Sequence, residues 1–309
     1  MQRVLSTVTL LGLLVATAAA FAITEHLKLI KSPVYGTLVS KVLSPTCGCL
    51  DSTATIQIRL RHRDKVTVTI VDSAHHLVRT IVAGKVVAPH APFPFVWNGR
   101  TDAGSLAPDG VYHPWVHLAN ARRTFRFTNR ITVDAQAPKV QSATDHPRIY
   151  FVGPRYKLAI RYSFSEPARA VVYLGRHLIV NGRHNRPQGK VEWGAGVNGR
   201  PLRAGKYVLT VGAVDLAGNE TPPSQRKSVT VVVRYIEVAP HLIRVRAGGR
   251  FTVHVRTNAP RYKWRLDGRR GARRGKALRL RAPATPGKYR LYVTENGHAA
   301  IAAVRVRAK

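Results

Sequence analysis

The sequence is poor in the residues from which most catalytic and metal centres are built. Its 309 residues include two Cys and one Met, and only 15 Asp and Glu. Two thiols are too few for a disulfide framework, an iron–sulfur cluster or a four-thiolate zinc site. So few carboxylates, spread over this length, also argue against a carboxylate-rich metal site or a glycosidase pair. The composition therefore predicts neither a resident metal nor a cofactor.

Catalytic motifs that can be recognised from their spacing are absent as well. The sequence contains no G-x-S-x-G, no H-E-x-x-H and no G-x-x-x-x-G-K-[ST]. The stretch from Asp215 to Glu220 could suggest a calcium loop, but a turn with Gly218 and Asn219 at positive φ accounts for it without an ion. We therefore predict a protein that is not an enzyme, with no catalytic and no metal-binding residues.

Positive charge is what the sequence has in excess. Fifty Lys and Arg give a formal net charge of +35, and 19 of them lie in residues 237–309, against three acids. Such a surface attracts polyanions, and arginine pairs bidentately with phosphate and carboxylate groups. The densest basic stretch supplies the candidate polyanion-binding residues, which are Arg261, Lys263, Arg265, Arg269, Arg270, Arg273, Arg274 and Lys276.

Two interpretations of this basic stretch stay open. Its residues form a polyanion-binding face, or they are merely the solvated side of alternating strands such as the one that carries Arg279 and Arg281. If they bind, an exported protein meets anionic wall polymers and anionic lipid first. Nucleic acid is a further partner on charge alone, although no RNA-recognition, zinc-finger or helix-turn-helix pattern occurs.

The first residues predict export. Arg3 precedes an uncharged, apolar stretch over residues 4–23, and Ala20-Phe21-Ala22 offers a cleavage site. The same stretch is about long enough to span a bilayer, so residues 1–23 are either a cleaved signal peptide or a signal-anchor helix. We favour the anchor, because the residues that follow resemble a stalk, to which we assign residues 24–50. The protein is then membrane-anchored and faces outwards, or is secreted if the signal is cleaved.

Both cysteines, Cys47 and Cys49, lie where the predicted stalk meets the first folded domain. Cysteines two positions apart can join each other only in a small ring. A local disulfide between them, an intermolecular disulfide and a capped free thiol therefore all stay open in an exported chain.

Beyond the amino-terminal segment, apolar and polar residues alternate with a period of two. This pattern is typical of half-buried strands, and short strands punctuated by Gly, Pro, Asn and Asp are typical of β-sandwiches. No convincing 3.6-residue apolar stripe follows residues 1–23. The predicted fold class is therefore all-β, with tandem β-sandwiches after an N-terminal hydrophobic helix. The alternation is clearest in residues 56–61, 65–70, 158–162, 208–211, 251–256 and 278–281.

An internal repeat predicts the number of sandwiches. Residues 97–112 begin with Trp97 and end with Tyr112, and residues 193–207 repeat the pattern from Trp193 to Tyr207. Each Trp is expected to fill the space between two sheets, and each Tyr to begin the next strand with a hydroxyl that caps a backbone group. A degenerate third copy lies at residues 284–293. Three copies predict three domains, at residues 51–134, 139–235 and 237–309.

This repeat, together with the alternating strand pair and its turn at residues 71–79, resembles the immunoglobulin-like domain of flagellar hook-capping proteins. The second domain, with its Ser163-to-Ala168 and Ala213-to-Asn219 segments, is similar to the same class in its membrane-anchored, multi-domain actinobacterial form. The third domain matches more loosely, since it lacks the long glycine turn.

The resemblance implies immunoglobulin-like sandwiches in the cell envelope and a non-enzymatic scaffold, adhesion or binding role. Together with the charge, it points to anionic wall polymers as partners of the basic third domain. Two alternatives stay open, an exported nucleic-acid-binding or uptake protein and a component of flagellar hook assembly. The sequence does not indicate an oligomeric state.

Overall fold

The computed structural model describes residues 2–29 and 32–308 of the chain. Residue 1 of the predicted signal, residues 30 and 31 of the predicted stalk and residue 309 of the third domain lie outside the described residues. Contacts between residues divide the chain into two units, Met1–Ala135 and Gln136–Lys309. Three separate hydrophobic cores draw on residues 34–133, 140–233 and 236–306.

The chain begins with one long helix, α1 (Gln2–Leu29). Its apolar side chains from residue 10 to residue 22 are exposed, among them Leu13 and Phe21. Among the described residues, no helix combines the length and the apolar character that crossing a membrane requires. Apart from two short 3₁₀ helices, Leu50–Ser52 and Pro223–Gln225, the regular structure that follows α1 in the described residues is β-strand. The predicted all-β fold class, with its N-terminal helix, is confirmed.

The first sandwich encloses its core between a three-stranded sheet, in the order β1-β3-β6, and a larger sheet, in the order β2-β9-β7-β4-β5 with β8 beside β7. The alternation of the sequence decides which side of each strand is buried: Ile56 and Ile58 of β3 lie inside, and Arg59 lies outside. Its strands are β1 (Val34–Val39), β2 (Val42–Leu43), β3 (Ala54–Leu60), β4 (Asp64–Asp72), β5 (Leu77–Val87), β6 (Phe93–Trp97), β7 (Gly110–Leu118), β8 (Arg123–Arg126) and β9 (Ile131–Val133).

The predicted stalk differs from the structure over residues 34–50. Strand β1 pairs with β3, strand β2 pairs with β9, and Val34 and Leu43 are buried in the first core. The sequence pattern missed these strands because β1 buries one side chain only and leaves Leu38 exposed, and β2 has two residues. Residues 34–50 are therefore part of the first sandwich.

The second sandwich contains one long strand, β12 (Leu158–Leu174), whose two ends belong to different layers of the sandwich. The beginning of β12 pairs with β10, with Ile160 opposite Asp145, and its end pairs with β16, with Val172 opposite Val211. The sheet follows the order β10-β12-β16-β17-β11, and β13 also pairs with β12. The strands are β10 (Val140–His146), β11 (Ile149–Phe151), β12 (Leu158–Leu174), β13 (His177–Trp193), β14 (Gly196–Val197), β15 (Arg200–Pro201), β16 (Gly205–Val214) and β17 (Lys227–Arg234).

The third sandwich packs a three-stranded sheet, β18-β20-β23, against a five-stranded sheet, β19-β25-β24-β21-β22. Its core includes Val253, Leu291 and Val304, all fully buried. The strands are β18 (Ile236–Ala239), β19 (Leu242–Arg246), β20 (Arg250–Thr257), β21 (Tyr262–Leu266), β22 (Arg269–Arg273), β23 (Ala277–Arg281), β24 (Gly287–Glu295) and β25 (His298–Arg307).

The repeat residues occupy equivalent positions. Trp97 and Trp193 are 1% and 3% exposed, and each indole Nε1 donates a hydrogen bond of 2.9 Å to the carbonyl three residues further along the chain. The hydroxyls of Tyr112, Tyr207 and Tyr289 each donate to the carbonyl four residues earlier, at 2.7, 2.9 and 2.9 Å. Such a tyrosine corner ties the start of a strand to the loop before it. All three sandwiches therefore share this corner.

Candidate polyanion-binding site

The five-stranded sheet of the third sandwich has two faces of opposite character. Because successive side chains of a strand point to opposite sides, Leu291 and Val293 of β24 enter the core, and Lys288 and Arg290 point to solvent. Strand β25 behaves in the same way: Val304 and Val306 are buried and Arg305 is exposed. The outer side of this sheet is therefore built from basic residues at alternate positions.

Two tight turns fix the register that brings these residues together. Asp267 and Gly268 join β21 to β22 with φ of 46° and 74°, and Asn296 and Gly297 join β24 to β25 with φ of 42° and 81°. Two central residues with positive φ form a two-residue hairpin turn, for which Asp-Gly and Asn-Gly are the preferred sequences. A two-residue loop leaves no freedom of register, so the pairing of the basic residues within each of these two hairpins is encoded locally.

Like charges stand opposite each other in this register. Arg244 lies beside Arg305, and Arg305 lies opposite Lys288, so three cations form a row across three strands. Arg246 lies beside Arg307, and Arg265 lies opposite Arg270. Neighbouring strands are about 4.8 Å apart and alternate residues about 6.8 Å apart, and like charges in such positions repel. The arrangement lowers the stability of the isolated sheet and favours bound anions.

No carboxylate neutralises these cations among the described residues, where every ion pair involves other basic groups. We name this surface the basic face and define it as the exposed residues Arg244, Arg246, Lys263, Arg265, Arg270, Lys288, Arg290, Arg305 and Arg307.

The three acids of the third domain lie elsewhere. Glu295 points inward from β24, and its burial raises the pKa of the carboxyl group above its usual range, an effect that nearby His298 partly opposes. Glu237 accepts hydrogen bonds from Arg234 and Arg256. Asp267 lies in the turn between β21 and β22. The positive potential of the basic face is therefore not cancelled by its own domain.

A small apolar strip crosses the basic face. Tyr292 of β24 is half-buried and lies opposite Ile301 of β25, which is 46% exposed, and Ala303 is exposed on the same strand. The guanidinium of Arg265 lies 5.0 Å from the centre of the Tyr292 ring, within the range of a cation–π contact. Cations thus lie on both sides of a surface that can contact the apolar part of a ligand.

The eight basic residues predicted from the sequence do not form a single patch. Lys263, Arg265 and Arg270 belong to the basic face. Arg269 and Arg273 lie on the other side of the hairpin, opposite Leu266 and Tyr262, and Arg269 donates to the carbonyl of Arg281. The remaining three flank these strands as exposed residues at positions 261, 274 and 276.

The prediction also missed six residues of the basic face. They lie in short pairs on strands that are far apart in the sequence: Arg244 and Arg246, Lys288 and Arg290, and Arg305 and Arg307. A search for local charge density selects the basic hairpin, since it holds more cations per residue. A different sequence pattern would have identified these six residues. In each of the three strands, basic residues stand at positions i and i+2 within an alternation of apolar and polar residues.

The cysteines and the Asp215 loop have local structures of their own. Cys47 and Cys49 form a disulfide with each other, which is the local pairing among the three that the sequence left open. The carboxylate of Asp215 accepts hydrogen bonds from the backbone N–H and the side-chain amide of Asn219, at 2.9 and 2.8 Å. This loop therefore has the hydrogen bonds of a closed turn. Gly218 has the expected positive φ, at 85°, whereas the expectation for Asn219 is wrong, since its φ is not positive.

Comparison with known families supports the resemblance noted above. Residues 44–121 match the model of the FlgD Ig-like domain, which confirms the resemblance predicted for the first domain. None of the curated proteins matches the chain.

Several solved structures resemble the chain at low identity. The titin I-band fragment I67–I69 is 12% identical, with a TM-score of 0.31, over 91% of this chain and 100% of that fragment. The fibronectin(III)-like modules of Clostridium thermocellum CbhA are 13% identical, with a TM-score of 0.35, over 65% of this chain and 93% of the modules. A bacterial ice-binding adhesin is 12% identical, with a TM-score of 0.24, over 90% and 97% of the two chains.

Proposed function

We propose that this protein is a non-enzymatic, exported component of the cell envelope that binds an anionic wall polymer through the basic face of its third sandwich. In this role it acts as a scaffold or an adhesive module. The observation that carries the proposal is the row Arg244, Arg305 and Lys288, in which three cations stand side by side with no carboxylate partner among the described residues.

The spacing of the cations supports a polymer as the ligand. A sheet of five strands at about 4.8 Å presents charges over a width of about 19 Å, and every strand except β22 adds a second cation about 6.8 Å further on. One small anion covers a single pair of these residues. A chain with regularly repeated phosphates or carboxylates contacts several pairs at once, and each contact releases counterions.

Export is proposed from the sequence of residues 1–23, in which Arg3 precedes an apolar run. An exported protein meets wall polymers before it meets nucleic acid, which is why a wall polymer is the favoured ligand. Export itself is tested by protease treatment of intact cells: residues beyond Cys49 should be cut. A chain that is protected until the cells are lysed contradicts the proposed location.

The binding test compares two sets of arginines in the same domain. In the first variant, Arg244, Arg290 and Arg305 of the basic face are changed to Gln. In the control, Arg250, Arg279 and Arg281 are changed to Gln; these residues are also exposed and also include a like-charge pair, Arg250 opposite Arg281, but they lie on the three-stranded sheet. Both variants lose three charges, so a difference between them reports position and not net charge.

The measurement is the affinity of the full chain for a purified anionic wall polymer between about 50 and 200 mM salt. For the unchanged protein, log K should fall linearly with log salt, and the slope should become shallower by about two to three in the first variant and much less in the control. Equal effects of the two variants would show that net charge alone attracts the polymer. Tighter binding of duplex DNA than of wall polymer at the same salt would favour the nucleic-acid alternative instead.

A further inference from the structure

A second, smaller basic site lies in the second unit, in a groove between the second and third sandwiches. Its cavity volume is about 550 Å³. This value lies within the range of about 300 to 1,000 Å³ that is typical of small-molecule sites. The second sandwich contributes Phe151, Arg155 and Tyr156 to the walls, and the third contributes Arg256 and Lys276.

The charge of the groove selects an anion. Arg155, His254, Arg256 and Lys276 line it, and no acidic side chain is among its described lining residues. Arg256 donates to Glu237 at 3.3 Å, but Glu237 also pairs with Arg234, so two arginines share one carboxylate and one positive charge remains. Arg155 and Lys276 have no ion-pair partner among the described residues.

One exposed aromatic ring gives the groove a surface for a flat or cyclic ligand, and a second, buried ring lies under one of its cations. Tyr156 is 43% exposed, and its ring lies edge-on to buried Tyr150, with 6.0 Å between ring centres. The centre of the Phe151 ring lies 5.1 Å from the guanidinium of Arg256. This aromatic contact and the ion pair with Glu237 together hold the Arg256 side chain in place. An aromatic platform beside fixed cations is suited to a ring that carries an anionic group.

The two walls are also fixed relative to each other. Asn258 of the third sandwich is fully buried, and its amide Nδ2 donates to the carbonyls of Gly153 and Tyr156 in the second sandwich, at 2.9 Å each. Gly153 has φ of 156°, and a Cβ at this position would lie 2.9 Å from Asn258. Glycine therefore allows the close approach of the two backbones, and the groove exists before any ligand binds, which lowers the cost of binding.

From these contacts we propose that the groove binds a phosphorylated sugar unit, with Arg155 and Lys276 on the phosphate and Tyr156 against the sugar ring. This deepens the proposed function, because such a unit is either a free sugar phosphate or a unit of a phosphate-containing wall polymer. The groove and the basic face are different surfaces, so each can fail without the other.

The test measures binding of glucose 1-phosphate to the full chain by calorimetry, with inorganic phosphate and glucose as comparison ligands. We expect one site per chain, tighter binding of glucose 1-phosphate than of phosphate, and no measurable binding of glucose. In R155Q and K276Q the affinity for glucose 1-phosphate should fall about tenfold or more each, as expected for the loss of a charge-assisted hydrogen bond. In Y156L it should fall, while the affinity for inorganic phosphate stays unchanged.

The matched controls are R183Q and K227Q, at exposed residues of the second sandwich that lie outside both the groove and the basic face, and they should change the affinity for glucose 1-phosphate less than twofold. Displacement of glucose 1-phosphate by a polymer of sugar phosphate units, at a lower concentration of units than free glucose 1-phosphate requires, identifies a polymer unit as the source, and retention identifies a free sugar phosphate. The proposal is overturned if glucose 1-phosphate binds no better than phosphate, or if R183Q and K227Q weaken its binding as much as K276Q does. Either result leaves the salt-dependent binding at the basic face to be judged by its own variants.

Discussion

Lys288 and Arg305 lie opposite each other in the register of β24 and β25, two positive side chains on the solvent side of one sheet. This pair lowers the stability of the sheet, because an opposite-charge or a neutral pair would stabilise it more. Residues that lower stability and remain in a fold are expected at binding sites. The predictions below separate residues that maintain the sandwiches from residues that serve a ligand.

Changing Lys288 to Glu should have opposite effects on stability and on binding. A glutamate would form an ion pair with Arg305 across the strands and should raise the free energy of unfolding by about 0.2–1 kcal/mol. The same change should weaken retention of anionic polymer, because it reverses one charge of the basic face. Urea unfolding and a polymer-binding assay measure the two effects. A loss of stability would mean that Lys288 has a structural role.

Changing Trp97 or Trp193 to Ala should destabilise the sandwich that contains it by about 3–5 kcal/mol. Each indole is buried between sheets, and the change also leaves the carbonyl of Arg100 or Gly196 without its donor. Chemical denaturation followed by tryptophan fluorescence and circular dichroism gives the free energies. Trp115 is half-buried on the first sandwich and serves as the control, with a smaller expected loss. Equal losses for Trp97 and Trp115 would contradict the proposed core role.

Changing Tyr112, Tyr207 or Tyr289 to Phe should lower the free energy of unfolding by about 0.5–1.5 kcal/mol in each case. Only the hydrogen bond to the carbonyl four residues earlier is lost, and the ring stays in place. Y156F is the comparison, since that side chain is 43% exposed, and it should change stability little. If the three corner variants behave like Y156F, the shared corner does not contribute to stability.

The parts of the fold that can be predicted from the sequence are those that a local sequence pattern determines. The sandwiches follow from the period of two, and the Trp and Tyr positions follow from the repeat, since both are local signals. Strand β1 was missed because its neighbours in the sheet, and not its own sequence, make it a strand, with Val34 as its single buried residue.

The candidate site was predicted in part for a related reason. The hairpin with Lys263, Arg265 and Arg270 is continuous in sequence and was recognised by charge density. Arg244 and Arg305 are 61 positions apart by number, and only the parallel pairing of β19 with β25 brings them together. Pairing between distant strands cannot be deduced from one sequence by periodicity, so the grouping of the other six residues of the basic face with this hairpin required the structure.

Glu295 should make the stability of the third sandwich depend on pH. Burial raises its pKa in the folded state, so the folded protein binds a proton more tightly than the unfolded chain does. The contribution of Glu295 to the free energy of unfolding is therefore highest at acidic pH. It falls as the pH rises from the pKa of Glu295 in the unfolded chain through its pKa in the folded protein. E295Q stays neutral and should lose this part of the pH dependence. Thermal unfolding of both proteins between pH 4 and pH 8 measures the difference, and parallel curves would exclude the effect.

The position of β25 in the third sandwich has a consequence for biosynthesis. This strand lies between β19 and β24, so β19 has no other partner in its sheet. Of the five strands in this sheet, β19 is synthesised first and β25 last. About 60 further residues must therefore be added after β19 before the strand that pairs with it is present. The third sandwich therefore cannot complete its five-stranded sheet before β25 has been synthesised. A premature stop before Ala299 would leave β19 as an unpaired strand exposed to aggregation.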